Sequence, residues 1–313
     1  MVKPPPLVYR PALSIAGPMA LHGWIIIDKP LGLGSTNVVG WVKRALREAG
    51  EPKTRVGHGG TLDPLATGVL PIAIGEATKL AGHMLDATKA YDFTITFGAQ
   101  TDTLDLEGKV VATSEHRPTR ADVEAILPRF TGPIEQVPPA FSALKVDGKR
   151  AYDLARAGEQ VELKTRAVTI HSLNLIEADE TFAILSVTVS KGTYIRSLAR
   201  DIALALGSVG HVTMLRRTKA GPFTLDQAIS LDFLDAAVKS RELDGAVLPL
   251  IAGLDDIPAL PVTPDDARLL RVGQRLVGNP ASSGLYLAID AARPIALVEV
   301  AAGDVKVVRG FNI

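Results

Sequence analysis

The chain has 313 residues, 34 Lys+Arg against 34 Asp+Glu, no cysteine and 47% hydrophobic residues. That length admits a catalytic domain with a smaller second one, and the absence of cysteine excludes disulfides, thiolate metal ligands and a cysteine nucleophile. Zero net charge argues against a uniformly basic nucleic-acid surface, but the balance is uneven: residues 142–220 carry 12 basic against 8 acidic side chains, and residues 221–313 carry 8 against 12.

Pro4-Pro5-Pro6, Pro11 and Pro18 make residues 1–20 an extension expected to be disordered, with Met19 as an alternative start. They also interrupt any signal-peptide apolar core. No run of about 18 apolar residues reads as a membrane span, so a cytoplasmic location is expected. Trp24 to Lys29 reads as a buried strand stopped by Pro30, and Ser35 to Arg47 as a helix with Val38, Val39, Val42 and Leu46 on one stripe.

Gly57-His58-Gly59-Gly60-Thr61-Leu62-Asp63-Pro64-Leu65-Ala66-Thr67-Gly68 then sets one carboxylate in a loop rich in glycine. Read alone, Asp63-Pro64 is a helix start, with Asp as cap and proline at the first helical position. Pro64 also drives Asp63 towards extended backbone, where its carboxylate can meet another molecule. The glycines match neither G-x-x-x-x-G-K-[ST] nor G-x-G-x-x-G, so nucleotide binding is a weak reading.

Tyr91 to Phe97 alternates, which makes Tyr91 a core aromatic or, at the start of its strand, a site residue. Lys145 to Arg166 holds Lys145, Lys149, Arg150, Arg156, Lys164 and Arg166, a solvated loop or a basic arm. Phe182 to Val189 is a strand. Ile195, Leu198, Ala199, Ile202 and Leu206 recur at helical spacing before Gly207, with Thr193 as the expected cap. Arg196 then stands at the positive end of that helix, a cost of about 0.3–1 kcal/mol if exposed. A carboxylate partner would offset it, and Asp63 is the candidate. Beyond Pro249 a smaller unit begins: a helix capped by Thr263, then short strands over Leu285–Ile289, Ile295–Val300 and Val305–Val308. Six scattered histidines without an HExxH pattern predict no catalytic metal.

The string from Gly57 to Gly68, together with Gly192-Thr193-Tyr194-Ile195-Arg196, resembles the TruB family of RNA pseudouridine synthases. Lys89-Ala90-Tyr91, Val137-Pro138-Pro139-Ala140-Phe141-Ser142-Ala143-Leu144-Lys145 and Leu215-Arg216-Arg217 agree in position, as does Asp28-Lys29-Pro30-Leu31-Gly32. The family usually has threonine where this chain has Gly59, and a Thr-Ser pair where it has Gly34. The resemblance implies an α/β (α+β) pseudouridine synthase fold with a mixed, largely antiparallel central sheet and a small C-terminal PUA-like β-barrel. It implies a catalytic domain over 21–248, with an RNA-binding arm at 145–166 and a PUA-like RNA-binding domain over 249–313. The implied activity is an isomerase that flips the TΨC-loop uridine of transfer RNA out of its stack and converts it to pseudouridine.

In that reading Asp63 is the nucleophile, Tyr91 packs on the base and Arg196 pairs with Asp63. Tyr194 and Leu215 line the uracil pocket, His58 holds the RNA loop open, and Lys29, Lys145, Lys149 and Arg150 bind substrate. No cofactor, metal or obligate protein partner is implied, and a monomer is expected. Such chemistry needs an ionised carboxylate, whose charged form an adjacent guanidinium favours. Attack on the sugar, attack on the ring and removal of a sugar proton all stay open. Two other readings stay open as well: an RNA-binding protein without catalysis, and a hydrolase of small nucleosides.

Overall fold

The computed structural model describes residues 21–142, 144–146, 148–157 and 163–313. The expected extension over 1–20, with Met19, lies outside them, as do parts of the 145–166 arm.

Strand β1 (Gly23–Lys29) carries five consecutive buried residues, Gly23 to Ile27. Helix α1 (Ser35–Glu48) buries the stripe Val38, Val39, Val42 and Leu46. Strands β2 (Val56–His58) and β3 (Ala66–Ile74) flank the Asp63 loop. Past helix α2 (Ala81–Asp86), β4 (Lys89–Phe97) alternates as its sequence predicts, with Phe93, Ile95 and Phe97 buried. It begins two residues before Tyr91, so Tyr91 is its third residue rather than its first.

A hairpin of β5 (Ala99–Thr101) and β6 (Val110–Thr113) leads through helix α3 (Arg120–Ile126) to β7 (Gly132–Gln136). In the arm region, β8 (Lys145–Val146) pairs with β9 (Lys149–Arg150) ahead of helix α4 (Ala151–Arg156). Then come β10 (Arg166–Ala178), β11 (Phe182–Val189), helix α5 (Ile195–Ala205), β12 (Gly210–Ala220), β13 (Phe223–Thr224), helix α6 (Leu231–Ser240) and β14 (Leu248–Pro249).

These strands form one sheet in the order β14-β1-β3-β12-β4-β11-β10-β7, with β2 also on β3 and β13 on β12. Every pairing is antiparallel except that of β3 with β12. The sheet is therefore mixed and largely antiparallel, and it packs under α1 and α6 at one end and α5 at the other. Strand β3 divides one edge between two neighbours. Ile72–Ile74 pair with β2, and Ala66–Gly68 pair with Leu215–Arg217 of β12. The Asp63 loop leaves β2 and enters β3 at that division, which keeps it clear of the ladder.

The C-terminal part holds β15 (Ala259–Pro261), helix α7 (Pro264–Arg271), β16 (Gly284–Asp290), β17 (Arg293–Ala301) and β18 (Asp304–Gly310). Thr263 caps α7 in a capping box with Asp266, as its sequence predicts. The sheet order β15-β16-β17-β18 is open. The expected barrel is thus an open four-stranded sheet, since four strands in this order do not close on themselves. Leu260, Ala288, Val298 and Val305 pack on Ala267 and Leu270 of α7. Leu287, Leu297 and Phe311 join Trp24, Ala73 and Phe223 of the large sheet in one buried cluster, and the Trp24 indole donates to Leu250 O at 3.0 Å.

Candidate active site

Asp63 precedes a turn rather than a helix. Its carbonyl accepts the Ala66 N–H at 3.0 Å, and the chain runs straight into β3. With no helix to cap, the carboxylate faces a cleft of about 280 Å³ lined by Asp63, Tyr91, Tyr194, Arg196 and Leu215, among others. Asp63 keeps 42% of its side chain exposed while its partner, Arg196, keeps 8%. The contact between them, Arg196 Nη2 to Asp63 Oδ2, is 2.8 Å.

Arg196 stands in the first turn of α5, as its sequence predicts, but Thr193 is not the cap. Its hydroxyl donates to Ser190 O at 3.0 Å, and Tyr194 occupies the cap position with no side-chain cap bond. The guanidinium is held on all sides. Nη1 donates to Thr103 O at 2.8 Å and meets Asp105 Oδ2 at 3.2 Å, and Nη2 also donates to Phe141 O at 3.1 Å. Asp105 is itself buried and accepts from Thr103 Oγ1 at 2.6 Å and from the Glu107 N–H at 3.0 Å. Two carboxylates therefore share one buried cation, and only Asp63 reaches the open cleft. A buried charge so fully bonded is fixed in place, since losing any partner would leave an uncompensated group.

The walls follow from register. Tyr91 lies opposite Arg217 and Val187, and Leu215 lies opposite Phe93 and Ala66. The Tyr91 ring is half-buried beside the cleft, which serves both readings the sequence leaves open: it packs against the buried clusters that hold Phe93 and Leu70, and it also lines the opening. Burial pushes the Tyr194 hydroxyl above its ordinary value.

The floor belongs to two groups whose roles the sequence does not reveal. Arg217 is buried; its Nε donates to Val69 O at 2.7 Å, Nη2 to Gly60 O at 3.1 Å and Nη1 to Thr61 O at 3.3 Å, so it ties the Asp63 loop to β3. Gly68 allows this approach. Its φ is +101°, and a Cβ there would stand 2.2 Å from Arg217 O. Lys89 donates to Met84 O, Leu85 O and Ala87 O at 2.5 to 3.0 Å, closing the end of α2. Burial, reinforced by the Arg217 charge, lowers it to about 8.

Lys29, expected to bind substrate, is fully buried beneath the loop. Its ammonium is taken up by Leu33 O at 2.6 Å, Pro30 O at 3.0 Å and Pro64 O at 3.2 Å, so it supports the residue after Asp63 instead of meeting a ligand. Burial lowers it to about 8 against the opposing pull of Asp63. His58 ends β2 outside the cleft lining; burial and then the Arg217 charge hold its imidazole below the ordinary value, which favours the neutral ring. The backbones of Lys145, Lys149 and Arg150 form the short hairpin ahead of α4, and their side chains lie outside what is described. Among the described residues no cluster of His, Cys, Asp or Glu could hold a metal ion.

Residues 44–195 match the N-terminal domain of the TruB family of pseudouridylate synthases, and residues 196–255 match the C-terminal domain of tRNA pseudouridylate synthase B. The tRNA pseudouridine synthase B of Novosphingobium aromaticivorans is 62% identical over 298 residues, covering 94% of this chain and 98% of that protein. That of Zymomonas mobilis subsp. mobilis is 58% identical over 293 residues, covering 94% and 97%. The chain belongs to the TruB family.

The boundary between the two TruB matches falls between Ile195 and Arg196, so the Asp63–Arg196 pair joins both halves of the family pattern. Two solved structures share the fold. An H/ACA RNP bound to a substrate RNA containing 2'-deoxyuridine superposes with a TM-score of 0.72 at 23% identity, covering 93% of this chain and 85% of that one. A Cbf5-Nop10-Gar1 complex gives 0.68 at 26%, covering 88% and 78%. No helix of the described residues is long and apolar enough to cross a membrane.

Proposed function

We propose that this chain is a transfer-RNA pseudouridine synthase that acts on the TΨC-loop uridine, with Asp63 as its nucleophile. One observation carries the reading: the only carboxylate among the described residues lining this cleft is fixed by a buried guanidinium at 2.8 Å, in a cleft also lined by Tyr91, Tyr194 and Leu215. The names and lengths of its TruB relatives support the substrate class.

A uridine in a folded loop leaves its stack at a cost of a few kcal/mol. Stacking on Tyr91 returns about 1–3 kcal/mol of that. Tyr194 and Leu215 enclose the ring, and His58 holds the RNA loop apart from outside the cleft. The N–C glycosidic bond breaks, the uracil turns, and C5 bonds to the sugar carbon while its hydrogen leaves. Asp63 supplies the negative charge this exchange requires and Arg196 keeps that charge in place, so the chemistry calls for no cofactor. Lys145, Lys149 and Arg150 meet phosphates, which position the RNA and do not identify the base. We assign residues 249–313 to a PUA-like RNA-binding unit in its open form, beside the catalytic domain over 21–248. The enzyme works as a cytoplasmic monomer.

The test is tritium release from transfer RNA labelled at uracil C5, with wild type and Asp63→Asn. Release by wild type alone, with tRNA affinity kept in the variant, is the expected outcome. No release by either, with tRNA bound, would establish an RNA-binding protein without catalysis. Release from free labelled uridine would point to a nucleoside enzyme instead.

A further inference from the structure

We propose that Gln136 is a positioning residue for this reaction, an inference that rests on the pseudouridylation reading above. Gln136 ends β7, at the edge of the large sheet, and is 2% exposed. Its Oε1 accepts the backbone N–H of Tyr194 at 2.8 Å, across 58 positions of sequence. Tyr194 is the N-cap residue of α5, and the helix has no side-chain cap of its own. In a capping box a Glu or Gln at the third helical position would reach back to that N–H. Here the third position is Ser197, too short to do so and without a partner for its Oγ among the described residues. Gln136 supplies the missing acceptor from another strand.

The residues so held are those of the site. Tyr194 lines the cleft, and Arg196, two positions on, grips Asp63. The segment after Gln136 is tied to the same helix: Val137 O accepts Arg200 Nη2 at 3.1 Å, and Phe141 O accepts the Arg196 Nη2 that also meets Asp63. Gln136 therefore anchors one end of a strap whose other end touches the guanidinium. Its amide nitrogen is buried without a partner among the described residues. Burying an unpaired amide donor is unfavourable, and an apolar side chain of the same length would avoid that cost. Such a side chain would forfeit the acceptor on the Tyr194 N–H.

The experiment compares full-length wild type, Gln136→Met, Gln136→Glu and Asp63→Asn. Single-turnover tritium release, tRNA affinity and thermal melting are measured for each. Gln136→Met should lose about tenfold or more in rate, as small misplacements near reacting atoms do, with affinity changed by less than about threefold. Gln136→Glu keeps an acceptor of equal reach and should recover most of the rate. A folded Gln136→Met with wild-type turnover overturns the proposal. So does a rate that falls only in step with affinity or melting temperature. If Gln136→Met does not fold, Gln136→Glu decides: folded and as slow as Asp63→Asn, it refutes the role. No release by wild type would remove the parent reading, and this inference with it.

Discussion

Replacing Gly59 by alanine tests how tightly the Asp63 loop is fitted to what lies beneath it. Gly59 is buried, donates to Pro71 O at 2.8 Å and has no positive φ, so its backbone would accept any residue. Space is the constraint. A Cβ at 59 would stand 2.5 Å from Met84 Cγ and 2.9 Å from Met84 Cβ. Carbon atoms at rest prefer about 3.5–4.0 Å, so one side must move by about 1 Å. Methionine yields easily at its tip, but its first two carbons are fixed to the backbone of α2, whose end Lys89 holds at the cleft floor.

Gly59→Ala should therefore destabilise the protein by about 1–3 kcal/mol, the usual cost of overpacking. Met84→Ala alone should cost about 2–5 kcal/mol, because Met84 is fully buried against the large sheet. Together they should couple favourably by about 1 kcal/mol or more, since the small side chain at 84 receives the added methyl. Urea unfolding midpoints at constant slope measure all three. Strict additivity, or Gly59→Ala as stable as wild type, would refute the argument.

Three further outcomes are expected. Asp105→Asn removes the second carboxylate on Arg196 and should cost about 1.5–3 kcal/mol of stability in urea unfolding, with slower tritium release at unchanged tRNA affinity; wild-type turnover would show that Asp105 plays no part in holding the pair. Lys29 sits near 8 when folded and 10.5 ordinarily, so over that window the unfolded chain holds the proton and rising pH favours folding. The urea midpoint of wild type should gain on that of Lys29→Met between about pH 8 and pH 10, and a flat difference would refute the assignment. Bound tRNA should slow backbone hydrogen exchange over residues 145–166, and unchanged exchange there would remove the arm from the RNA interface.

The Asp63–Arg196 pair was legible because a cation in the first turn of α5 opposes the helix dipole and demands a partner. Asp105 was not, since Thr101-Asp102-Thr103-Leu104-Asp105 reads as a polar turn and nothing in its spacing points to a helix almost a hundred residues on. Lys29 misled for a related reason. The resemblance gives Lys29 a substrate to bind, yet its buried ammonium is received by the Pro30, Leu33 and Pro64 carbonyls. Thr193 had the right chemistry for a cap but was turned back by the Ser190 carbonyl. In the C-terminal part the short strands over Leu285–Ile289, Ile295–Val300 and Val305–Val308 are legible and match β16 to β18, while closure depends on strand count and register, which a strand pattern does not encode.

The parallel pairing of β3 with β12 has a consequence for how the protein is born. Leu215 reaches Ala66 across 149 positions of sequence, and the loop between them must close before that pair contributes anything. Arg217, which clasps the Asp63 loop, belongs to the late strand. A chain emerging from the ribosome can thus form β1 to β3 early and still have no cleft until residue 217 is free. The cleft is therefore completed only once residue 217 of the 313 has been made, and an amino-terminal fragment that carries Asp63 and Tyr91 but stops short of it would be inert towards RNA.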